Sequence, residues 1–327
     1  MKKRWRQVIL ICPNSVTGGP EALHQLGHMV NKLGGDARFA YFGGRCKLQI
    51  DKDRLLCELD PNCEPLSAYA AYNPTVITEI KLDTDILLVF PEILAELAAG
   101  VRGVATAVWW LSVDNALRQN VNLTYPSSRK LYFANTELIH FFQSYYAHDF
   151  LRQNGAQTVY PLFDYVSSEF RFADPGEPSP REKIAFFPSK GGELAKSFFE
   201  RAPDLQPMPI ANMTRAQVSQ ALATSAIYID FGHHPGKDRV PREASVAGAV
   251  VLLHQVGAAN FYLDHPLDQR YLFTQKSIET GGLAGLVRTI LAEREKHLAA
   301  QGAYRQRIAN ELHEFELQVS NAFFAPT

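Results

Sequence analysis

Short apolar runs alternating with amphipathic segments predict an α/β chain built from two Rossmann-like domains, their parallel sheets facing across a cleft. Three observations carry this. Runs such as Gln7–Cys12 and Ala226–Phe231 are apolar except at Gln7 and Asp230, as in strands covered by helices on both faces. Most are followed by a loop bearing Gly or Pro, then by apolar residues at the three- and four-residue spacing of one helical face. The pattern is interrupted between Asp164 and Glu182, where Ala173–Pro180 holds three prolines, one glycine and no apolar period. That is the composition of a linker, and it sets the domains at 1–166 and 167–327.

The elements follow in order. Gln7–Cys12 is a strand, Pro13–Gly19 a loop, and a helix starts at about Pro20. Leu23, Leu26, Val30 and Leu33 line one helical face, and Gly34-Gly35 ends it. Ala37–Phe42 is the next strand, completing a strand–helix–strand unit long enough for a right-handed crossover. Residues 43–80 show no clear period and are expected to be irregular. Asp85–Phe90 is a strand stopped by Pro91, Glu92–Ala99 a short helix, Val104–Trp110 a strand and Leu138–Gln143 another. Ser144 caps a helix that reaches about Gln153, and Thr158–Phe163 reads as one more strand. The second series begins with strand Lys183–Pro188, loop Ser189–Gly192 and helix Glu193–Arg201. Thr214–Gln217 forms a capping box before a helix over 215–224. Strand Ala226–Phe231, helix Arg242–Ala247 and strand Val250–His254 complete it, and from Gly282 the chain is nearly all helical in character.

Composition limits what the chain does. Its 327 residues are 46% hydrophobic, enough for two cores, and the formal net charge is −1. No global field therefore draws in nucleic acid or an anionic membrane, and any anion site is local. The basic start, Met1–Arg6, reads as a solvated terminus, with a weak peripheral membrane contact as the alternative. The apolar run after it is too short for a signal core or a membrane span. Cys12, Cys46, Cys57 and Cys63 have no zinc-site spacing and are read as reduced structural thiols of a cytoplasmic protein.

Four loops could carry chemistry. Thr17-Gly18-Gly19-Pro20-Glu21 lets backbone approach a ligand at a helix start, with His24 one turn further on. It is neither a dinucleotide fingerprint nor a P-loop. Trp109-Trp110 offers flat faces for a sugar ring, or belongs to the core. Asp114 after them is a candidate general base or a helix-start residue. Pro188-Ser189-Lys190-Gly191-Gly192 can place an ammonium beside phosphates. The densest loop is Gly232-His233-His234-Pro235-Gly236-Lys237-Asp238-Arg239, running into Val240-Pro241-Arg242-Glu243. Lys237, Arg239 and Arg242 can neutralise a diphosphate, and His233 and His234 can donate to it. Glu243 is read in the first helical turn. A metal needs more ligands than these histidines with Asp230 or Asp238, so none is expected.

These stretches, with Gln143-Ser144-Tyr145-Tyr146-Ala147, resemble the two-Rossmann-domain glycosyltransferases of the GT-B class, and sugar transferases of bacterial capsule and O-antigen gene clusters in particular. The resemblance covers most of the chain. It implies an acceptor-side first domain and a second domain that holds the nucleotide-sugar, with a last helix at about 303–324 crossing back. It implies Glu243 on ribose, Lys190 on phosphate, and Gly18 and Gly19 toward the reacting sugar. Many retaining members carry a second glutamate eight positions before the ribose one. Here that position is Pro235, which leaves retention or inversion open.

The expected function is glycosyl transfer from a nucleotide-sugar substrate to a glycan or lipid-linked acceptor in bacterial surface polysaccharide synthesis, with no cofactor and no metal. Asp114 is the first choice of base, then Glu21 and His24, with His233 a further catalytic candidate. Lys190, Gly191, His234, Lys237, Arg239, Arg242 and Glu243 are the donor-binding set. The rival readings are a nucleotide-sugar epimerase of the same architecture and a non-catalytic sugar-nucleotide-binding partner in an assembly complex.

Overall fold

The computed structural model describes residues 2–51, 53–170 and 181–325. The proline-rich segment 173–180, expected as the linker, lies outside the described residues. The chain divides into two compact units, one of Met1–Asp164 with Leu312–Thr327 and one of Tyr165–Glu311.

The first unit is built on β1 (Gln7–Pro13), α1 (Gly18–Lys32), β2 (Ala37–Phe42), β3 (Ile86–Pro91) and β4 (Ala105–Trp110). After them come α2 (Val113–Gln119), β5 (Leu138–Phe142), α3 (Tyr145–Gln153) and β6 (Val159–Pro161). The strands form one sheet in the order β6-β5-β4-β3-β1-β2, and every pairing is parallel. Ile9, Ile11, Leu88, Phe90, Val108 and Trp110 are wholly buried, which explains why these strands read as unbroken apolar runs. Each such side chain contributes roughly 1.5–3 kcal/mol by leaving water.

Residues 43–80 are more regular than their sequence suggests. Lys47–Asp51, Arg54–Glu58 and Glu79–Lys81 make a small antiparallel sheet. Its strands are short and solvated on one face, so Leu55 and Cys57 supply only a brief apolar alternation. The four cysteines are buried and free, and all lie in this unit.

The second unit comprises β7 (Ile184–Phe186), α4 (Gly192–Arg201), β8 (Pro207–Pro209), α5 (Arg215–Thr224), β9 (Ile227–Asp230), α6 (Arg239–Val246), β10 (Val250–His254) and β11 (Leu272–Phe273). Its sheet is parallel, in the order β8-β7-β9-β10-β11. The capping box on α5 is present as read, with Thr214 and Gln217 bonded reciprocally. A 22-residue helix, α7 (Gly302–Phe323), closes the chain. Tyr304 and Ile308 belong to the core of the second unit. Phe323 stacks on Phe141 at 5.4 Å, within the first. Among the described residues no helix is long and apolar enough to cross a membrane.

Candidate functional site

The chain leaves β7 toward β8 on one side and β9 toward β10 on the other. The gap between β7 and β9 is therefore a topological switch point, where open parallel sheets gather ligands beyond their carboxyl ends. Two loops meet there, Phe187–Gly191 after β7 and Phe231–Asp238 after β9. Gly191 has φ +76°, and a Cβ on it would come within 2.4 Å of Phe231 backbone. A Cβ on Gly232 would lie 2.2 Å from the Lys190 side chain. The two glycines let the loops interlock. Gly191, expected against a ligand, instead abuts the neighbouring loop.

Lys190 is the link between those loops. Its ammonium donates to Asp230 Oδ2 at 2.9 Å and to Asp238 Oδ2 at 2.6 Å. Asp230 also accepts from Tyr228 Oη at 3.2 Å and from the Gly232 N–H at 3.0 Å. His234 Nδ1 donates to Asp238 at 2.9 Å from a ring that is wholly buried. Burial opposes the charge on Asp238, but Lys190 and His234 overcome it and hold the carboxyl well below the usual carboxylate range. Burial likewise opposes the Lys190 charge, and the two carboxylates outweigh it, raising that pKa. Asp230, His234 and Asp238 present ligand atoms within 4.8 Å of one another, a spacing that suits a cation. Two of the three already bond the Lys190 ammonium.

The other cations are also committed. The side chains of Lys237, Arg242 and Glu311 are 4%, 0% and 1% exposed. Lys237 Nζ lies 3.0 Å from Glu311 Oε1, and Arg242 Nη1 lies 2.9 Å from Glu311 Oε2. Arg242 Nε donates to the Asp238 carbonyl at 3.1 Å, and Nη2 to the Lys237 carbonyl at 3.0 Å. Arg242, expected on phosphate, is thus a buried strut that shapes the loop. His234 is a second strut. α6 begins at Arg239, three residues before the expected Arg242, so Glu243 is its fifth residue and not part of its first turn. Glu243 is buried; Arg239 is half-buried and His233 exposed. The residue before α6, Asp238, makes no side-chain cap to it and turns its carboxylate to Lys190 and His234 instead; a helix start is a place where an anion can be met.

The first unit has its own switch point between β1 and β3. Gly18 and Gly19 open α1 there, with no side-chain cap at Thr17. Glu21 is buried and receives Tyr72 Oη at 3.4 Å. His24 is a correction. It is fully buried between Phe39 and Tyr69, at ring separations of 4.6 and 4.7 Å. Nδ1 bonds the Pro20 carbonyl at 2.6 Å and Nε2 the Tyr41 hydroxyl at 2.9 Å. Burial pushes its pKa down to about 4, so this ring holds the core as the neutral imidazole. Trp109 and Trp110 are wholly buried, with Nε1 donating to Leu162 O and His140 Nδ1. They are core, not a sugar platform. Asp114 stands half-buried in the first turn of α2, which Ser112 caps, and shares a hydrogen bond with Tyr146.

Two residues escaped the sequence reading. Glu311 looked like one polar residue among many in a long helix. Glu92 follows Pro91 at the end of β3 and was counted into a short helix. It is buried, accepts the Leu111 N–H at 3.3 Å, and is pushed up to about 8 by that burial. A Pro-Glu pair ending an apolar strand was the available signal.

No protein-family model matches the chain, and no curated protein matches it significantly in sequence. Solved structures do resemble it in fold. Sucrose-phosphate synthase from Thermosynechococcus elongatus is 14% identical, with TM-score 0.63 over 96% of this chain and 97% of that one. A pneumococcal O-GlcNAc transferase, solved with UDP and GlcNAc, is 10% identical, with TM-score 0.59 over 97% and 99%. A UDP-forming trehalose-phosphate synthase from Burkholderia xenovorans is 13% identical, with TM-score 0.55 over 99% and 100%. At these identities the likeness is one of fold, that of the GT-B glycosyltransferases.

Proposed function

We propose that the chain is a glycosyltransferase that moves a sugar from a nucleotide-sugar donor to a glycan or lipid-linked acceptor in bacterial surface polysaccharide synthesis. One observation carries the reading. The switch point of the second sheet is walled by two interlocked loops, and α6 opens there without a side-chain cap from Asp238. A diphosphate suits that position. The fold resemblance to transferases solved with UDP supports the nucleotide.

In this reading the leaving diphosphate lies over the start of α6, met by its amides, His233 and Arg239. Lys190, with 30% of its side chain exposed, lies at the same end of the sheet and offsets there the charge of Asp230 and Asp238, which would otherwise repel the phosphates. These groups oppose the negative charge that develops on the leaving phosphate. Glu243 takes the ribose. Lys237 and Arg242 act through Glu311, by shaping the loop. The reaction runs without a metal, because the ammonium of Lys190 supplies the cation that Asp230 and Asp238 bind. Asp114 is the acceptor's base if the reaction inverts, with Glu21 behind it.

The test is direct. Purified protein is incubated with UDP-, GDP-, CDP- and ADP-sugars, with and without oligosaccharide or lipid-linked acceptors. Acceptor-dependent release of nucleotide supports the proposal. Epimerised sugar from donor alone supports the epimerase instead, and failure to bind any nucleoside diphosphate overturns the reading.

A further inference from the structure

Among the described residues the most exposed large apolar side chains are Leu131, Tyr262, Val121 and Tyr125, each at least 57% exposed. Three of these four fall between 121 and 131 in the first unit, on a turn over Val121–Thr124 and a short helix over Pro126–Phe133. The stretch is firmly seated. Leu123, Tyr132 and Phe133 are buried beneath it, and Phe133 packs on Trp110 at 5.6 Å. The Asn122 N–H and Nδ2 donate to the Glu96 carboxylate at 2.8 and 2.9 Å. Val121, Tyr125 and Leu131 are thus held in water by a packed base.

The charge around them has one sign. From Asn115 to Thr136 the chain carries Arg118, Arg129 and Lys130 and no Asp or Glu. Among the described residues none of these three meets a carboxylate. Arg118 bonds the Asn115 side chain at 2.8 Å, and Arg129 bonds the Thr124 carbonyl at 3.2 Å and lies over the Phe150 ring. Elsewhere on the surface Arg6, Arg54 and Arg288 are each paired. Unpaired cations beside exposed apolar side chains, with a tyrosine among them, suit an anionic bilayer. The apolar tips enter the acyl boundary while the cations meet headgroups. A second copy of the chain fits less well, because a two-fold contact sets the same cations against one another. Nucleic acid leaves Leu131 and Val121 without an apolar partner.

We propose that this face, Val121, Tyr125 and Leu131 with Arg118, Arg129 and Lys130, docks the chain reversibly on a bilayer that carries anionic lipids. The inference is separate from the donor site, none of whose residues it uses. It gives membrane contact a local basis, which a net charge of −1 does not supply.

The experiment sediments the full chain with vesicles of phosphatidylcholine alone and of phosphatidylcholine mixed with phosphatidylglycerol, at low and high salt. Binding should require phosphatidylglycerol and weaken as salt rises. Arg118→Gln with Lys130→Gln should lower vesicle affinity about 25-fold, at about fivefold per charge. Leu131→Ser should lower it about tenfold. All three side chains are exposed, so the variants should fold, which melting checks. Lys183→Gln with Lys276→Gln removes the same charge from exposed positions of the second unit and should change affinity less than about twofold. Amide exchange across 121–131 should slow on vesicles. A wild type that binds no anionic vesicle overturns the proposal. So does equal weakening by the patch and control pairs, which would report net charge alone. Leu131→Ser without effect would mark a general polyanion contact and overturn it too. Protection of 121–131 that rises with protein concentration in the absence of vesicles would give the face to a second copy instead. Nucleotide affinity measured without vesicles should be the same in wild type and variants, and its absence bears on the donor reading alone.

Discussion

Lys190 carries the charge that Asp230 and Asp238 face, and these carboxylates are 2% and 24% exposed. Lys190→Met should lower unfolding free energy by about 3 kcal/mol, the low end for breaking a buried pair. Urea unfolding reads it, and a loss under about 1 kcal/mol, the worth of an exposed pair, would contradict this role. The same variant leaves Asp230, His234 and Asp238 at cation spacing. It should gain calorimetric binding of Mn²⁺ or Zn²⁺ that wild type does not show. Two imidazoles give a pH dependence. Burial holds His24 and His140 at about 4, against an ordinary 6.5. Between those values the unfolded chain binds more protons than the folded one, so stability falls as pH falls through this window. Each ring contributes on the order of 1.4 kcal/mol per pH unit there. Glu92, raised to about 8 by burial, acts in the opposite sense over this range and offsets about one ring; melting temperatures from pH 7 to 5 should still drop, and His24→Phe should flatten the slope. These residue roles were only partly legible in the sequence. The density of costly residues in 232–243 marked the loop, but not the direction each side chain takes. Lys237 and Arg242 turn inward because Glu311, about seventy positions away, waits for them, and no local pattern records that.

At the scale of the element, the chain enters α4 through two glycines in different circumstances, Gly191 before it and Gly192 as its first residue. Gly191 has φ +76° and would drive a Cβ into Phe231 backbone, whereas Gly192 has nothing within 4 Å. Gly191→Ala should cost about 1–3 kcal/mol or more through the left-handed backbone and that clash. Because it moves the anion loop, it should also weaken nucleotide binding. Gly192→Ala should leave both nearly unchanged. Thermal melts and calorimetry on the pair decide the point; equal behaviour would mean the loops do not interlock. Element types were legible where the local signal was strong, as in the apolar runs of β1 and β10, the apolar face of α1 and the capping box of α5. The antiparallel sheet within 43–80 was not, because its strands are short and mostly solvated. The start of α6 was displaced because Pro241 drew the boundary to itself, while Asp238 precedes the first helical residue.

For the whole molecule, two parallel sheets place a switch point in each unit, and the donor reading assigns the nucleotide to the second. A nucleoside diphosphate at a hundred times its dissociation constant should add roughly 2.7 kcal/mol. That raises the unfolding midpoint by several degrees at about 2–4 °C per kcal/mol for units of this size. A thermal screen across bases would identify the nucleotide, and a flat response to all of them would remove the donor site. The sequence by itself determined the strand and helix grammar, the parallel sheets and the loop richest in chemistry, because apolar periodicity and glycine placement are local properties of the chain. Only the tertiary structure decided which cations are already neutralised, which imidazoles are core, and that one carboxylate in the last helix gathers them. Charge pairing depends on distance in space, and burial depends on what packs from elsewhere; neither is written at the position where it acts.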